Sequence, residues 1–213
     1  MEIMDTKLNV LNASSKFDDV LTLLKKEGHE ALSEISNFFM LSQVDIVISP
    51  ASKEYKTDSG ILGCVSTPYV IDILLDTDRK DLKDIIRNEL ASVIAHEIHH
   101  LVRSSRGVQE ETLFQVLVSE GLACHFETYF NGNKSPQIFE ELKDVEWLEL
   151  YKLMESDLDN RNFDYPLYFG GKDESKLPNR AGYWVGFNLV LNYIIKHGGC
   201  AVTLAGSPAE VFV

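Results

Sequence analysis

The sequence has little of what marks secreted or membrane proteins. Its 213 residues include only three cysteines, at Cys64, Cys124 and Cys200, and such wide spacing does not form a disulfide framework. No stretch approaches the roughly 20 unbroken apolar residues of a membrane helix. The N-terminal stretch lacks the basic start and apolar core of a signal peptide. These absences predict a protein of the reducing cytoplasm that has no membrane partner.

Positive charge is also scarce. The chain has 20 Lys and Arg against 33 Asp and Glu, a formal net charge of −13. This surplus of negative charge repels phosphates and argues against nucleic acid as a partner. The 45% hydrophobic content suits one compact domain with a proper core. The predicted organisation is therefore a single domain over residues 1–213, with an N-terminal helical region at 1–43 and a core at 44–213.

One long segment without helix breakers contains the most informative motif. From Asp81 to Arg103 there is no Gly or Pro, which allows a helix of roughly six turns. Its apolar residues gather on one broad face at 100° per residue: Leu82, Ile85, Ile86, Leu90, Val93, Ile94 and Leu101. Residues 96–100 in this helix read His-Glu-Ile-His-His, the pattern H-E-x-x-H.

The H-E-x-x-H pattern predicts a zinc site. Two histidines one helical turn apart, His96 and His100, bind the metal, and Glu97 faces the water that the metal activates. All three side chains fall within the apolar arc, where buried polar groups are costly unless something satisfies them. His99 projects about 60° to the side of His96, so a flanking hydrogen bond is expected for it instead. Glu89, two turns earlier, either supports the site or pairs with a Lys or Arg.

A third ligand is expected from a second helix, predicted over Val108 to Phe130. Glu120 is the buried acid of that helix, and Gly121 beside it would let another helix approach closely. Two histidines and one glutamate leave a fourth position open for water, which is the arrangement of a catalytic zinc site. The alternative for Glu120 is a buried acid in an ion pair with Arg or Lys.

Three segments in this order resemble a known family. They are Ala95 to His100 (A-H-E-x-x-H), Ser119 to Ala123 (S-E-G-L-A) and Gly182 to Gly186 (G-Y-x-V-G). The chain resembles a bacterial domain-of-unknown-function family of predicted zinc-dependent proteases, within the gluzincin or thermolysin-like superfamily, from about Val44 onward. The resemblance implies a zincin-like fold in which His96, His100 and Glu120 bind one zinc ion. It also implies that Glu97 is the catalytic acid and base.

The sequence departs from thermolysin-like enzymes one turn after the ligand glutamate. Those enzymes often have a carboxylate there that supports a zinc histidine, whereas this chain has Cys124. Support then comes from Glu127, Glu89 or a backbone carbonyl, or the site is weaker. Cys124 itself is expected to be a buried core thiol, with metal binding as the alternative.

A donor to the oxyanion is also needed besides the metal. Tyr183 is the candidate, because related superfamily members use a Tyr or His well downstream of the glutamate ligand. Ordinary core packing is the competing interpretation of Tyr183. His197 is the second candidate, although its position before Gly198-Gly199 is typical of a cation at a helix C-terminus.

The remaining pattern predicts an α+β fold, zincin-like and mostly helical, with a small sheet beside the H-E-x-x-H helix. The expected elements are a helix from about Phe17 to Met40 ended or broken at Gly28, a strand at Val44–Ser49, one or two strands within Ile61–Asp76, a long loop at Asp159–Gly182 that could form a wall or lid, and a helix at Tyr183–Lys196. The segment around Gly63 to Tyr69 is expected to line the cleft.

The function predicted from these residues is zinc-dependent hydrolysis of peptide bonds, with Glu97 as general base and a peptide or protein as substrate. Two alternatives stay open. One is a catalytically inactive binding or regulatory module with a zincin fold, and the other is a metal-dependent hydrolase of a non-peptide amide.

Overall fold

The computed structural model describes residues 6–41, 43–134 and 136–213, and it has the predicted α+β fold. About half of these residues are helical, and four strands among them form one small sheet. The chain divides into two compact units, residues 1–102 with 129–132 and residues 103–128 with 133–213. Residues 1–5 and 42 of the predicted N-terminal region lie outside the described residues. The single domain over 1–213 stays a prediction.

The first unit contains the sheet, two α-helices and a short 3-10 turn at Lys53–Tyr55. Its elements are β1 (Lys7–Val10), α1 (Leu21–Ile35), β2 (Asp45–Pro50), β3 (Ile61–Thr67), β4 (Val70–Leu75) and most of α2 (Leu82–Ser105). The strand order is β1-β2-β4-β3. Strands β1, β2 and β4 run parallel, and β3 pairs antiparallel with β4. Strand β3 is therefore an outer strand of the sheet.

Alternation of apolar residues explains the central strands. In β2, Ile46 and Ile48 are fully buried, and in β4, Ile71 and Ile73 are too. Side chains of a strand point alternately to its two faces, so these isoleucines form one buried face. The strands predicted at Val44–Ser49 and within Ile61–Asp76 are confirmed.

The long helix α2 is also confirmed, over Leu82–Ser105. Asp84 in its first turn and Arg103 in its last complement the helix dipole. Within the first unit the helix packs against β3, since a side chain on Gly63 would come within 2.8 Å of Val93. The small sheet thus lies beside the H-E-x-x-H helix, as expected.

The second unit is helical. Its elements are the end of α2, α3 (Leu113–Phe130, whose last two residues belong to the first unit), α4 (Trp147–Met154), α5 (Tyr165–Phe169), α6 (Ala181–His197) and α7 (Ala201–Leu204), with short 3-10 turns at Gln137–Phe139, Glu155–Asp157 and Ala209–Phe212. Its main core cluster joins residues of α3 to α6 and their connections: Leu113, Leu117, Leu150, Met154, Tyr168, Phe169, Leu177, Ala181 and Val185.

A fully buried arginine joins several segments of the second unit. Arg103 Nε donates to Ser119 Oγ at 3.2 Å. Its Nη1 donates to the backbone carbonyls of Ala205 and Ser207, each at 3.2 Å. A guanidinium carries several donors in a fixed fork, so one side chain ties the end of α2 to α3 and to the C-terminal segment.

The predicted end or break at Gly28 is wrong, and the helix covers Leu21–Ile35 rather than Phe17 to Met40. Helix α1 runs through Gly28 without a break. The glycine lies against the side chain of Leu8, and a Cβ at this position would come within 2.7 Å of that side chain. Close packing on β1, rather than helix termination, explains the glycine. The region also contains β1, which pairs with β2 from Lys7 to Val10.

Differences elsewhere concern where helices begin and end. Helix α3 starts at Leu113 rather than Val108, and the predicted loop at Asp159–Gly182 contains the short helix α5. Helix α6 extends to His197 and ends at Gly198, whose φ is +76°, so the predicted stop is confirmed. No helix within the described residues is both long enough and apolar enough to cross a membrane.

Candidate metal centre

The two predicted histidine ligands converge on α2. His96 and His100 are half-buried, and their Nε2 atoms lie 3.2 Å apart. The ring centroids are 4.9 Å apart, as expected for side chains one turn apart on the same helix face. Two imidazole nitrogens that meet in this way offer a cation two ligands at one point.

His99 does not join this pair. It is fully buried, and its ring packs edge-on against Phe39 with centroids 6.0 Å apart. Ser92, two turns earlier on the same helix, donates its hydroxyl to the Glu89 carbonyl at 3.0 Å. The helix therefore directs His99 into the core of the first unit and leaves His96 and His100 as the converging pair.

Glu97 lies against the outer strand β3. It is only 8% exposed, and a Cβ on Gly63 would come within 2.7 Å of its Oε1. Burial raises the pKa of the neighbouring Cys64 thiol, and the negative charge of Glu97 adds to that rise. The absent side chain at Gly63 is what gives the Glu97 carboxyl its room beside β3.

Glu120 is the buried acid of α3, 7% exposed. Within the second unit, the hydroxyl of Tyr165 donates to Glu120 Oε1 at 3.1 Å. Tyr165 is the first residue of α5 and is 43% exposed. The structure therefore gives this acid a phenol neighbour from the segment between Asp159 and Gly182, which the sequence analysis marked only as a long loop.

Tyr183 lies in the first turn of α6, close to the same acid. Its hydroxyl is 3.1 Å from the hydroxyl of Tyr165, and its ring meets the ring of Phe169 edge-on at 5.1 Å. Burial raises the pKa of Tyr183 well above its ordinary value, and the Glu120 carboxylate raises it further. The phenol consequently keeps its proton at neutral pH and can donate a hydrogen bond.

A contact between two glycines fixes how α3 meets α6. A Cβ on Gly121 would collide with the backbone carbonyl of Gly186, and a Cβ on Gly186 would collide with the carbonyl of Leu117. The close approach predicted at Gly121 is confirmed, and its partner is the last glycine of G-Y-W-V-G. Since Gly121 follows Glu120 directly, this contact holds Glu120 at a set distance from α6.

Two groups of donors among the described residues have side-chain types that bind metal ions. One is His96, His100 and Glu120, and the other is His96, Cys124 and Glu127. The first group offers two imidazoles and a carboxylate, a donor set that zinc accepts in catalytic sites. Cys124 is fully buried in a cluster with Phe139 and Phe187, as predicted for a core thiol. The donor types of the first group therefore fit zinc without disturbing that cluster.

His197 has the position predicted for a helix C-terminal residue. It is the last residue of α6 and is exposed, with its ring 4.7 Å from that of Tyr193. Tyr165, in contrast, was missed by the sequence analysis. Loop length alone pointed to its segment, and no spacing rule singles out one tyrosine within it.

A histidine pair one turn apart with a glutamate between them is typical of metal-dependent hydrolases. The chain belongs to the family of predicted Zn-dependent proteases (DUF2268), whose family model matches residues 24–213. The match begins inside α1 and so starts earlier than the Val44 expected from the motifs. No curated protein and no solved structure matches the chain significantly.

Proposed function

We propose that this protein is a gluzincin-like peptidase in which His96, His100 and Glu120 bind one zinc ion and Glu97 is the general base. The observation that carries the proposal is the convergence of the two histidine Nε2 atoms at 3.2 Å. Membership in a family of predicted Zn-dependent proteases supports the same activity.

The residues divide the chemistry between them. Zinc in such a site acts as a Lewis acid and lowers the pKa of water toward neutrality. Glu97 takes the proton of the attacking water and returns it to the leaving amine. Tyr183 donates its single hydroxyl hydrogen to Tyr165 in the substrate-free protein. With substrate bound, it would turn that hydrogen to the oxygen that becomes negative in the transition state.

The substrate we propose is a peptide or protein segment that binds in extended form along β3. Strand β3 is an outer strand, and an extended peptide can add to an exposed strand edge through main-chain hydrogen bonds. Glu97 lies beside Gly63 of this strand, so a peptide paired there runs next to the general base. Tyr69 is exposed just after β3 and would lie at the end of that edge.

The test compares zinc content and peptide cleavage in matched variants. Purified protein is analysed for zinc and incubated with a peptide library, and products are identified by mass spectrometry. Glu97→Gln is expected to keep zinc and to lose about 10²- to 10⁴-fold in cleavage, the contribution of a general base. Zinc binding without Glu97-dependent cleavage would identify an inactive binding module. If the protein cleaves no peptide but does cleave another kind of amide, it is the non-peptide hydrolase.

The ligand assignment has its own matched pair on α3. Glu120→Gln is expected to abolish stoichiometric zinc, whereas Glu127→Gln, two turns later on α3, keeps it. If Cys124→Ser or Glu127→Gln removed zinc while Glu120→Gln retained it, the second group of residues would be the metal site and the proposed ligand set would be wrong.

A further inference from the structure

A chain of two phenol hydroxyls ends on the carboxylate of Glu120. Tyr165 Oη lies 3.1 Å from Glu120 Oε1 and 3.1 Å from Tyr183 Oη. All three residues belong to the second unit. They come from three separate helices, α3, α5 and α6, so the chain of hydroxyls is built by the tertiary fold.

The direction of the hydrogen bonds follows from the number of protons. Each phenol has one hydroxyl hydrogen, and an ionised carboxylate only accepts. Because Tyr165 donates its hydrogen to Glu120, its oxygen must accept the hydrogen of Tyr183. The order of donation is therefore Tyr183 to Tyr165 to Glu120. A carboxylate has two oxygens, so accepting this bond is compatible with metal binding by the same group.

Packing holds Tyr165 in this position. Its ring stacks on that of Phe169, with centroids 4.5 Å apart and planes 22° apart. Phe169 in turn occupies the space left by Gly182, where a Cβ would lie 2.5 Å from its ring. Tyr168, also on α5, donates to Asp157 at 2.6 Å. Contacts of Tyr165, Tyr168 and Phe169 thus hold helix α5, and Tyr165 reaches Glu120 from that helix.

We propose that Tyr165 is a positioning residue for the metal ligand Glu120, and that Tyr183 acts on Glu120 through Tyr165. This inference rests on the proposed function, since it takes Glu120 as a zinc ligand. Ligating carboxylates generally accept hydrogen bonds that orient them, and loss of such a partner typically costs 10- to 100-fold in metal affinity. A hydroxyl from the Asp159–Gly182 segment would supply that partner here.

The serial arrangement predicts a particular pattern of zinc affinities. Tyr165→Phe keeps the ring that stacks on Phe169 but removes the hydroxyl, so it is expected to weaken zinc binding by about 10- to 100-fold. Tyr183→Phe is expected to have a smaller effect. The double variant is expected to match Tyr165→Phe alone, because groups that act in series are not additive.

The experiment measures zinc affinity by chelator competition and records the visible spectrum of the cobalt-substituted protein. Tyr168→Phe is the matched control. Tyr168 lies on the same short helix as Tyr165, and its hydroxyl also donates to a carboxylate, that of Asp157. The expected result is weaker zinc binding and a changed cobalt spectrum for Tyr165→Phe, with neither change for Tyr168→Phe. A cobalt spectrum responds to the ligand sphere, which a general loss of stability would leave unaltered.

Three outcomes would overturn the inference, and they separate it from the proposed function. If zinc binding requires Glu120 but Tyr165→Phe leaves affinity and spectrum unchanged, only the inference fails. Equal losses in Tyr165→Phe and Tyr168→Phe would show a folding effect of α5 and would also overturn it. If the unaltered protein binds no zinc, or binds it independently of Glu120, both proposals fail.

Discussion

Replacing Gly186 by alanine should destabilise the second unit through a collision between main chains. In the structure a Cβ on Gly186 meets the carbonyl oxygen of Leu117 well inside van der Waals contact, and it also comes within 3.2 Å of the amide nitrogen of Gly121. Both obstacles are backbone atoms of α3, which cannot rotate aside as a side chain can. The helices α3 and α6 must therefore move apart to accept the new methyl group.

The size of the effect follows from two opposing contributions. Overpacking a close contact typically costs about 1–3 kcal/mol, and the rigid obstacle at Leu117 places Gly186→Ala near about 3 kcal/mol. Alanine recovers about 1 kcal/mol of helix propensity relative to glycine. The net loss is about 2 kcal/mol, which for a chain of this length lowers Tm by about 4–8 °C.

Gly28→Ala is the matched control, because Gly28 is also a buried helical glycine. Its obstacle is the end of the Leu8 side chain, 2.7 Å from the added Cβ, and a leucine can adopt another rotamer. The gain in helix propensity offsets this cost, so Gly28→Ala should change stability by less than about 1 kcal/mol. Both variants are compared by calorimetry and urea unfolding. A Gly186→Ala protein as stable as the unaltered chain would refute the backbone-contact argument.

Three further substitutions test separate features. Gly63→Ala should lower kcat/KM by up to about 10²-fold with zinc content unchanged, since a Cβ 2.7 Å from Oε1 of Glu97 displaces the general base; unaltered kinetics would contradict this. Arg103→Met should cost about 2–4 kcal/mol in urea unfolding, because it leaves the buried carbonyl of Ala205 and the part-buried carbonyl of Ser207 without their donor. A neutral result would show that water replaces the guanidinium. Burial and the hydrogen bond to Asp157 raise the pKa of Tyr168 in the folded protein, so stability should fall as pH rises above about 10, the ordinary tyrosine value. Tyr168→Phe should show a smaller fall over that range, and an equal fall would assign the effect to another group.

Local pattern was sufficient to predict α2 and its histidine pair. The segment has no helix breaker, and its apolar stripe has one consistent period, so helix geometry alone brings His96 and His100 onto one face. The burial of Glu97 follows from the same stripe. The third predicted ligand, Glu120, could be recognised as a buried acid from the apolar character of its helix, since such a group needs a reason to be buried.

Tertiary contacts decided the features that the sequence did not predict. Gly28 has the composition signal of a helix end, yet α1 continues through it because β1 packs on that side. Strand β1 is four residues long, too short for alternation to distinguish it from a loop. In both cases the deciding partner is distant along the chain, and no local rule contains it.

The glycine contact between α3 and α6 explains why S-E-G-L-A and G-Y-W-V-G occur together. Gly121 follows Glu120 by one residue, and Gly186 follows Tyr183 by three, about one helical turn. When the two glycines meet, the helical repeat places Tyr183 near Glu120, with Tyr165 between their polar ends. The two motifs therefore act as halves of one packing arrangement. Without a glycine next to Glu120, α6 could not approach α3 so closely. Tyr165 could then not contact both Glu120 and Tyr183.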